Sequence, residues 1–287
     1  MTLKVRFAGD FVQNNQIPMG ILAHTLFYTE KAFERAYLDI ERGGIRKNEY
    51  MRKEDYRRAI LLFEGVQYSS IGFNFNEQSS ELITPLNRLK RSFFSQHEKA
   101  AKEGEDLELS DVKEQVELTK RIIETNGIQS IQEYSEFVAN PGDKIIREFG
   151  DRSINKYVDR AINPVRNNEG DNIIEITIKG DETNTFTFNS VIAERFGKIV
   201  SHKTLGKPFA LTATLVSADN INLKAKIYNT TSKRQMNVFF TVLDDLVDFS
   251  PYIGKKSEQF QFIAAPVIES GSYDLSSGDV YFLMFLG

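Results

Sequence analysis

The residue types that most often hold metals or attack substrates are sparse in this sequence. Cysteine is absent, and there are three histidines, His24, His97 and His202. Without cysteine the chain has no thiolate metal ligand and no thiol nucleophile. His97 and Glu98 begin an H-E-x-x-H zinc motif, but Ala101 stands where the second histidine would be. We therefore predict no metal site, and we interpret the histidines as surface, interface or loop residues.

The glycine motifs of common enzymes are also missing. A phosphate-binding G-x-x-x-x-G-K-[ST] loop needs two glycines five residues apart, and neither Gly197 nor Gly254 has the first of them. No G-x-G-x-x-G or G-x-S-x-G occurs. The sequence thus predicts no cofactor and a protein that is not an enzyme.

Two acidic groups keep a metal-dependent nuclease open as a third hypothesis. One group is Asp244, Asp245 and Asp248, and the other comprises the acidic residues of segment 103–111. Catalysis by two metal ions needs carboxylates on rigid elements that hold the ions about 4 Å apart. We interpret the aspartates as structural or partner-contacting and the segment as a solvated loop, since clustering along the chain does not show convergence in space.

A basic and aromatic strand face suggests nucleic-acid binding. Lys224, Lys226 and Tyr228 alternate with apolar residues, so they lie on one face of a strand. Exposed aromatic rings beside cations bind single-stranded nucleic acid. The alternative is a solvated face whose lysines discourage edge pairing. The full set of candidate contacts is Lys224, Lys226, Tyr228, Lys233, Arg234, Phe239 and Lys255.

A second basic and aromatic cluster, in the N-terminal half, suggests a protein interface. Phe93 and Phe94 are adjacent, and adjacent residues point about 100° apart on a helix, so both do not fit one narrow buried stripe. Interfaces concentrate their energy in aromatic and arginine anchors. We predict partner-binding residues at Tyr28, Tyr37, Arg88, Arg91, Phe93 and Phe94.

The N-terminal half predicts a mixture of helices with a hairpin. Residues 3–7 alternate as a strand, and a long helix follows Pro18 and ends at Gly43. Residues 59–65 and 67–75 resemble two strands joined around a glycine. Further helices are expected at 81–102, at 112–126, after a Ser130–Glu133 capping box, and from Ser153 to a stop at Pro164.

Period-two alternation dominates after Pro164. Residues 173–188 predict a hairpin, and five strands follow Gly206, with an insertion between the third and the fourth. This order fits a small OB-like barrel, and an SH3-like barrel or an open sheet would give nearly the same pattern. The predicted fold class is α+β, with a mainly helical domain at 1–164, a β-hairpin connector at 165–205 and the barrel at 206–287.

Composition bounds the class of protein. The chain has 287 residues, 41% of them hydrophobic, with 22 Phe and 11 Tyr, which excludes the aromatic-poor composition of disordered proteins. Formal net charge is −4, and residues 198–287 carry 9 Lys/Arg against 8 Asp/Glu, so no basic footprint for duplex DNA is present. No signal peptide or membrane-spanning run is evident, and we expect a cytoplasmic protein without membrane association.

The N-terminal segment 1–75, with Ile17-Pro18 before the long helix and the hairpin positions 61–65, resembles uncharacterised proteins of phages and bacterial mobile elements. The resemblance implies a phage anti-defence factor, for example an inhibitor of a Gabija-type nuclease complex. Such a factor would act in the host cytoplasm by stoichiometric binding, often as an oligomer wrapped on its target. It assigns no residue roles.

Three functions follow from the sequence, in order of preference. The first is a protein-binding and assembly protein, as a homo-oligomer or on a host defence complex, because surplus aromatic residues accompany the lack of a catalytic motif. The second is a single-stranded nucleic-acid or nucleotide-binding module that uses the barrel. The metal-dependent nuclease is the third.

Overall fold

The chain folds into two compact units. The computed structural model describes residues 2–67, 71–77, 83–102, 111–127, 131–253, 255 and 258–286. Unit 1 comprises Met1–Leu107 and Phe149–Ser201, and unit 2 comprises Glu108–Glu148 and His202–Gly287. The division differs from the sequence-based domains, because residues 165–205 are not a connector. Those up to Ser201 belong to unit 1, and residues 108–148 belong to unit 2 with the barrel.

Unit 1 is a layer of helices on one face of a sheet. Its helices are α1 (Met19–Glu41), α2 (Lys53–Arg58), α3 (Ile83–Ala101), α6 (Phe149–Asn167) and α7 (Ser190–Ser201). Its strands are β1 (Thr2–Ala8), β2 (Leu61–Gln67), β3 (Ile71–Glu77), β5 (Ile173–Lys179) and β6 (Thr183–Phe188), in the order β2-β3-β1-β5-β6.

Alternation along the central strands of unit 1 decides which face is buried. All pairings in this sheet are antiparallel, and Val5 of β1 lies opposite Ile176 of β5. Leu3, Val5 and Phe7 are buried in the same core as helices α1, α3, α6 and α7. The other face is polar and includes the Arg6–Glu175 salt bridge of 2.6 Å.

Helix α6 differs from its sequence-based bounds at both ends. Ser153 lies inside the helix rather than at its N-cap, and its Oγ accepts a hydrogen bond of 2.7 Å from Arg35 Nε. Pro164 also lies inside the helix. Proline has no N–H for the carbonyl four residues earlier, which is that of Arg160. The ring of His24 donates to that carbonyl at 2.8 Å, and the helix continues to Asn167.

Unit 2 is built around a closed barrel. Its strands are β4 (Gln132–Glu133), β7 (Lys203–Leu205), β8 (Phe209–Asp219), β9 (Lys224–Asn229), β10 (Arg234–Phe239), β11 (Phe260–Glu269) and β12 (Val280–Phe285). Its helices are α4 (Val112–Asn126), α5 (Tyr134–Ala139) and α8 (Leu243–Val247).

Strand order identifies the barrel type. The five long strands run β8-β9-β10-β12-β11, and β8 pairs with β11 to close the ring. β10 and β12 are parallel, whereas the other pairs are antiparallel. The closed Greek-key order, with α8 inserted after the third strand, is OB-like. The predicted α+β class with a C-terminal barrel is therefore confirmed.

The barrel interior is aromatic, and α4 covers part of its exterior. Phe209, Phe249 and Phe262 are fully buried inside, and the rings of Phe249 and Phe282 meet edge to face at 5.3 Å. Outside, Val116 and Ile123 of α4 pack against a small cluster on β7, β11 and β12. The outer face of β9 and β10 is not part of that cluster.

Two sequence predictions lie outside the described residues. They are the acidic stretch at 103–110 and Ser130 of the expected capping box. Glu133 of that box is described, and it instead precedes α5, where its backbone N–H donates to Glu136 Oε2 at 3.2 Å.

Candidate functional site

The candidate site is the outer face of β9 and β10. Lys226 and Tyr228 are exposed and Lys224 is half-buried, while the intervening Ala225 and Ile227 are buried. Period-two alternation therefore places the three predicted residues on one solvent-facing surface, as expected. In the register with β10, Tyr228 lies opposite Gln235, Lys226 opposite Asn237 and Lys224 opposite Phe239. We call these six residues the barrel face.

One end of the barrel face carries an aromatic ring beside a cation. Lys224 Nζ lies 5.6 Å from the centroid of the Phe239 ring. On the next strand the ring of Tyr281 stands 5.7 Å from Phe239 and tilted by 45°. The contact of Lys224 with Phe239 adds a cation–π attraction of about 0.5–1 kcal/mol at an exposed site. It also brings positive charge to an aromatic surface.

The turn from β9 to β10 carries one more cation, Lys233, at the other end. Asn229 is buried, and its Oδ1 accepts hydrogen bonds from the backbone N–H groups of Thr231 and Ser232. Asparagine favours such turns because its side chain mimics a backbone carbonyl. Lys233 and Arg234 follow and are both exposed. Arg234 lies in register with Asn229, so alternation directs its side chain away from the side of the sheet that carries Tyr228 and Gln235.

Asp279 and Asp219 border this surface, and both carboxylates already accept hydrogen bonds. Asp279 accepts a hydrogen bond of 2.6 Å from Asn237 Nδ2. Asp219 accepts hydrogen bonds from the side chain and backbone of Asn222. These hydrogen bonds, chiefly the one from the Asn222 side chain, lower the pKa of Asp219. Each bordering carboxylate is thus held by an asparagine, and the face between them presents lysine ammonium groups.

The sequence predicts most of this surface, but three of its residues, Gln235, Asn237 and Tyr281, are not among the predicted contacts. Gln235 and Asn237 alternate with the buried Met236 and Val238, so the same alternation would have placed them on the face. Tyr281 joins the surface only through the parallel pairing of Phe239 with it. No local pattern in the sequence predicts a pairing between two strands that are so far apart along the chain.

Three of the six residues predicted to bind a partner are buried instead. Arg88 is 3% exposed, Phe93 is fully buried and Tyr37 is 3% exposed. The Phe93 ring packs 4.4 Å from that of Phe186 inside unit 1. These three residues belong to the core of unit 1, so the prediction that they are interface anchors is corrected.

Arg88 is the cation of a buried ion-pair network. Its Nε donates to Asp39 Oδ2 at 2.6 Å, and its Nη1 donates to Asp151 Oδ1 at 2.5 Å. Burial alone would lower the pKa of Arg88, but the carboxylates of Asp151 and Asp39 raise it above its usual value. Gly150 permits the close approach of its helix, because a Cβ there would overlap the Asp39 carboxylate.

The other three predicted residues reach the surface. Arg91 is exposed and Phe94 is 38% exposed, with its ring edge-on to Phe186 at 6.1 Å. Tyr28 is half-buried, its ring 5.1 Å from the exposed Phe27. Arg91 and Phe94 lie together on α3, whereas Tyr28 lies on α1.

The acidic and histidine candidates do not converge. Asp245 pairs with Lys120 at 2.6 Å, which gives that carboxylate a structural role. His24 and His97 both donate to backbone carbonyls. Within the described ranges no group of three or more metal-ligating side chains has the geometry to hold an ion.

Comparisons with protein-family models, curated proteins and solved structures found no match to this chain. The resemblance of segment 1–75 to phage and mobile-element proteins therefore stays a prediction. Among the described helices, none combines the length and apolar character needed to cross a membrane.

Proposed function

We propose that the barrel face binds single-stranded nucleic acid. The observation that carries the proposal is the exposure of Lys226 and Tyr228 beside the Lys224–Phe239 pair, on the second and third strands of an OB-like barrel. That face is where barrels of this type bind oligonucleotides. The cysteine-free composition suits a reducing cytoplasm, where we place this activity.

Spacing along the face suits an extended strand. Tyr228 and Lys224 are four residues apart on β9, a separation of about 13 Å at the rise of a β-strand. Bases stack on Tyr228 at one end and on Phe239 at the other. Lys226 stands between them, where its exposed ammonium group can meet a phosphate. A duplex would not offer its bases for such stacking, so we expect preference for single strands.

The number of cations predicts the salt dependence. Three side chains can each neutralise one phosphate: Lys224, Lys226 and Lys233. For a single strand, the logarithm of the affinity should fall with the logarithm of salt concentration with a slope of about −2. We expect fluorescence anisotropy of a labelled oligonucleotide to give that slope.

Variants separate stacking from charge. Replacing Lys224 and Lys226 together by alanine should reduce the magnitude of the slope by about 1.4. Tyr228→Ala should weaken binding by about tenfold and leave the slope unchanged, since a stacked base contributes about 1–3 kcal/mol. Lys113→Ala, at an exposed lysine of α4, is the matched control. Absence of binding by the unmodified protein at low salt would exclude the function.

A second function, protein binding, is favoured by an aromatic surface on unit 1. Phe27 is 51% and Tyr56 49% exposed, and Lys31 Nζ lies within 5.8 Å of both ring centroids. Arg160 lies 5.5 Å from the centroid of the Tyr28 ring. Aromatic residues and arginine are enriched at protein interfaces. The partner is a second copy of the chain or another protein, such as the host defence complex that the resemblance implies.

This second function has its own test. The double variant Phe27→Ala/Tyr28→Ala should shift the mass measured by light scattering toward that of the monomer if the surface joins two copies. The expected weakening is at least tenfold, about 1.4 kcal/mol. If the unmodified protein is monomeric and captures no partner from its native cells, protein binding at this surface is excluded.

A further inference from the structure

Unit 1 contains a cleft between α3 and the β5–β6 turn that none of the functions above uses. Its volume is about 460 Å³. Small-molecule sites usually enclose about 300–1,000 Å³ and combine apolar walls with a few polar groups. Its lining includes Ile40, Asn87, Lys90, Arg91, Phe94 and Asp181.

Fixed hydrogen bonds build the wall of this cleft. Asn87 Nδ2 donates to Asp181 Oδ2 at 2.7 Å, and the Asp181 backbone N–H donates to Asn87 Oδ1 at 3.2 Å. Gly180 lets the turn approach the helix, because a Cβ there would overlap Asn87 Oδ1. The turn is therefore held against α3 before any ligand arrives, which lowers the entropic cost of binding.

Arg91 supplies the charge that selects a ligand. Its guanidinium has no hydrogen-bond or ion-pair partner among the residues that the structure describes. By contrast, the charge of Arg88 deeper in the cleft is balanced by Asp39 and Asp151. Lys90 approaches Glu182 only at 4.0 Å, and the Glu182 side chain is 82% exposed. A guanidinium without a partner can bind carboxylate or phosphate in bidentate geometry.

Phe94 and Ile40 supply the apolar part of the cleft. Phe94 is 38% and Ile40 37% exposed, and the edge-on contact with Phe186 orients the Phe94 ring. A flat ring in the ligand would pack against Phe94 while its anionic group meets Arg91, three residues earlier on the helix. Residues three apart lie on the same side of a helix, so one small molecule can reach both.

We propose that this cleft binds a small organic anion that carries a planar ring. Mononucleotides and aromatic carboxylates share that chemistry. The site is separate from the barrel face and does not depend on nucleic-acid binding there.

Isothermal titration calorimetry of the full chain with four probes tests the proposal. The probes are AMP and 2-naphthoate, which have both ring and anion, adenosine, which lacks the anion, and inorganic phosphate, which lacks the ring. AMP, 2-naphthoate or both should bind at least tenfold more tightly than adenosine and phosphate. Binding of AMP alone identifies nucleotides as the ligand class, and binding of naphthoate alone identifies aromatic carboxylates.

Variants locate the binding site. Arg91→Ala and Phe94→Ala should each lower the affinity for the probe that binds by at least tenfold. Two control variants should leave that affinity unchanged: Arg57→Ala, at an exposed arginine of α2, and Tyr228→Ala, on the barrel face. Circular dichroism verifies that each variant is folded, and Arg91→Lys serves as the second variant if Arg91→Ala unfolds. Failure of both AMP and naphthoate to bind, or equal binding by Arg91→Ala, overturns the proposal.

Discussion

His24 donates a hydrogen bond from Nε2 to the carbonyl of Arg160, the group that Pro164 leaves without its helical donor. A helix interrupted by proline loses one backbone hydrogen bond. Here a side chain of α1 replaces that donor, and α1 and α6 pack against each other along their length. We therefore expect His24 to stabilise α6 at Pro164.

A double-mutant cycle tests this relationship. His24→Ala should lower the free energy of unfolding by about 1 kcal/mol, the usual net worth of a hydrogen bond. In a Pro164→Ala background the cost should shrink, because the alanine would supply its own backbone N–H to the Arg160 carbonyl. Urea denaturation of the four proteins measures both costs. Equal costs in the two backgrounds would show that the hydrogen bond does not compensate for the proline.

The Asp39–Arg88–Asp151 network predicts opposite outcomes at neighbouring arginines of α3. Arg88→Ala leaves two carboxylates without their cation, and loss of one partner of a buried pair costs about 3–5 kcal/mol. Arg91→Ala removes an exposed side chain and should change stability by less than about 0.5 kcal/mol. Thermal or urea unfolding distinguishes them. If Arg88→Ala were as stable as Arg91→Ala, the network would not stabilise the fold.

His97 should make unit 1 less stable in mild acid. Burial lowers the pKa of His97 below its usual value, against the raising effect of its hydrogen bond to Thr187. The unfolded chain then binds the proton first, so stability is retained above the unfolded pKa of about 6.5 and falls as the pH drops through it toward the folded pKa.

The variant His97→Gln isolates this effect. Glutamine does not titrate, but its amide N–H can still donate to the Thr187 carbonyl. Between about pH 7.5 and about pH 5.5 the unmodified protein should lose more stability than the variant, because the unfolded chain takes up a proton at His97 and takes up none at glutamine. Urea unfolding at both pH values measures the difference. Equal losses would show that His97 does not contribute.

Local sequence patterns predict the helices and strands. The burial of charged residues depends instead on contacts between residues that are far apart along the chain. The alternation of apolar and polar residues predicts the barrel strands and the outward side of β9, because a period of two can be recognised from the order of the residues alone. Arg88 was expected on the surface because its partners are 49 and 63 residues away along the chain. Phe93 follows Leu86 and Leu89 at helical spacing, so it lies on their buried side of α3. Phe94 does not share that spacing, and it is half-exposed.

The domain division shows the same limit. Residues 173–179 have the alternation of any half-buried strand, and their partner β1 lies at the other end of unit 1 in sequence. Likewise, β4 pairs with β8 although α5, α6, α7 and the β5–β6 hairpin lie between them along the chain. Periodicity predicts that a strand exists, but it does not specify which strand pairs with it.

Photocrosslinking most directly tests whether the barrel face binds single-stranded nucleic acid. An iodouracil-substituted oligonucleotide is irradiated with the protein at low salt, and the modified peptides are identified by mass spectrometry. We predict adducts on the peptides that carry Tyr228 and Phe239, competed by unlabelled single strands and not by duplex. Adducts confined to other peptides, or no adduct at protein concentrations that saturate the oligonucleotide, would contradict the account.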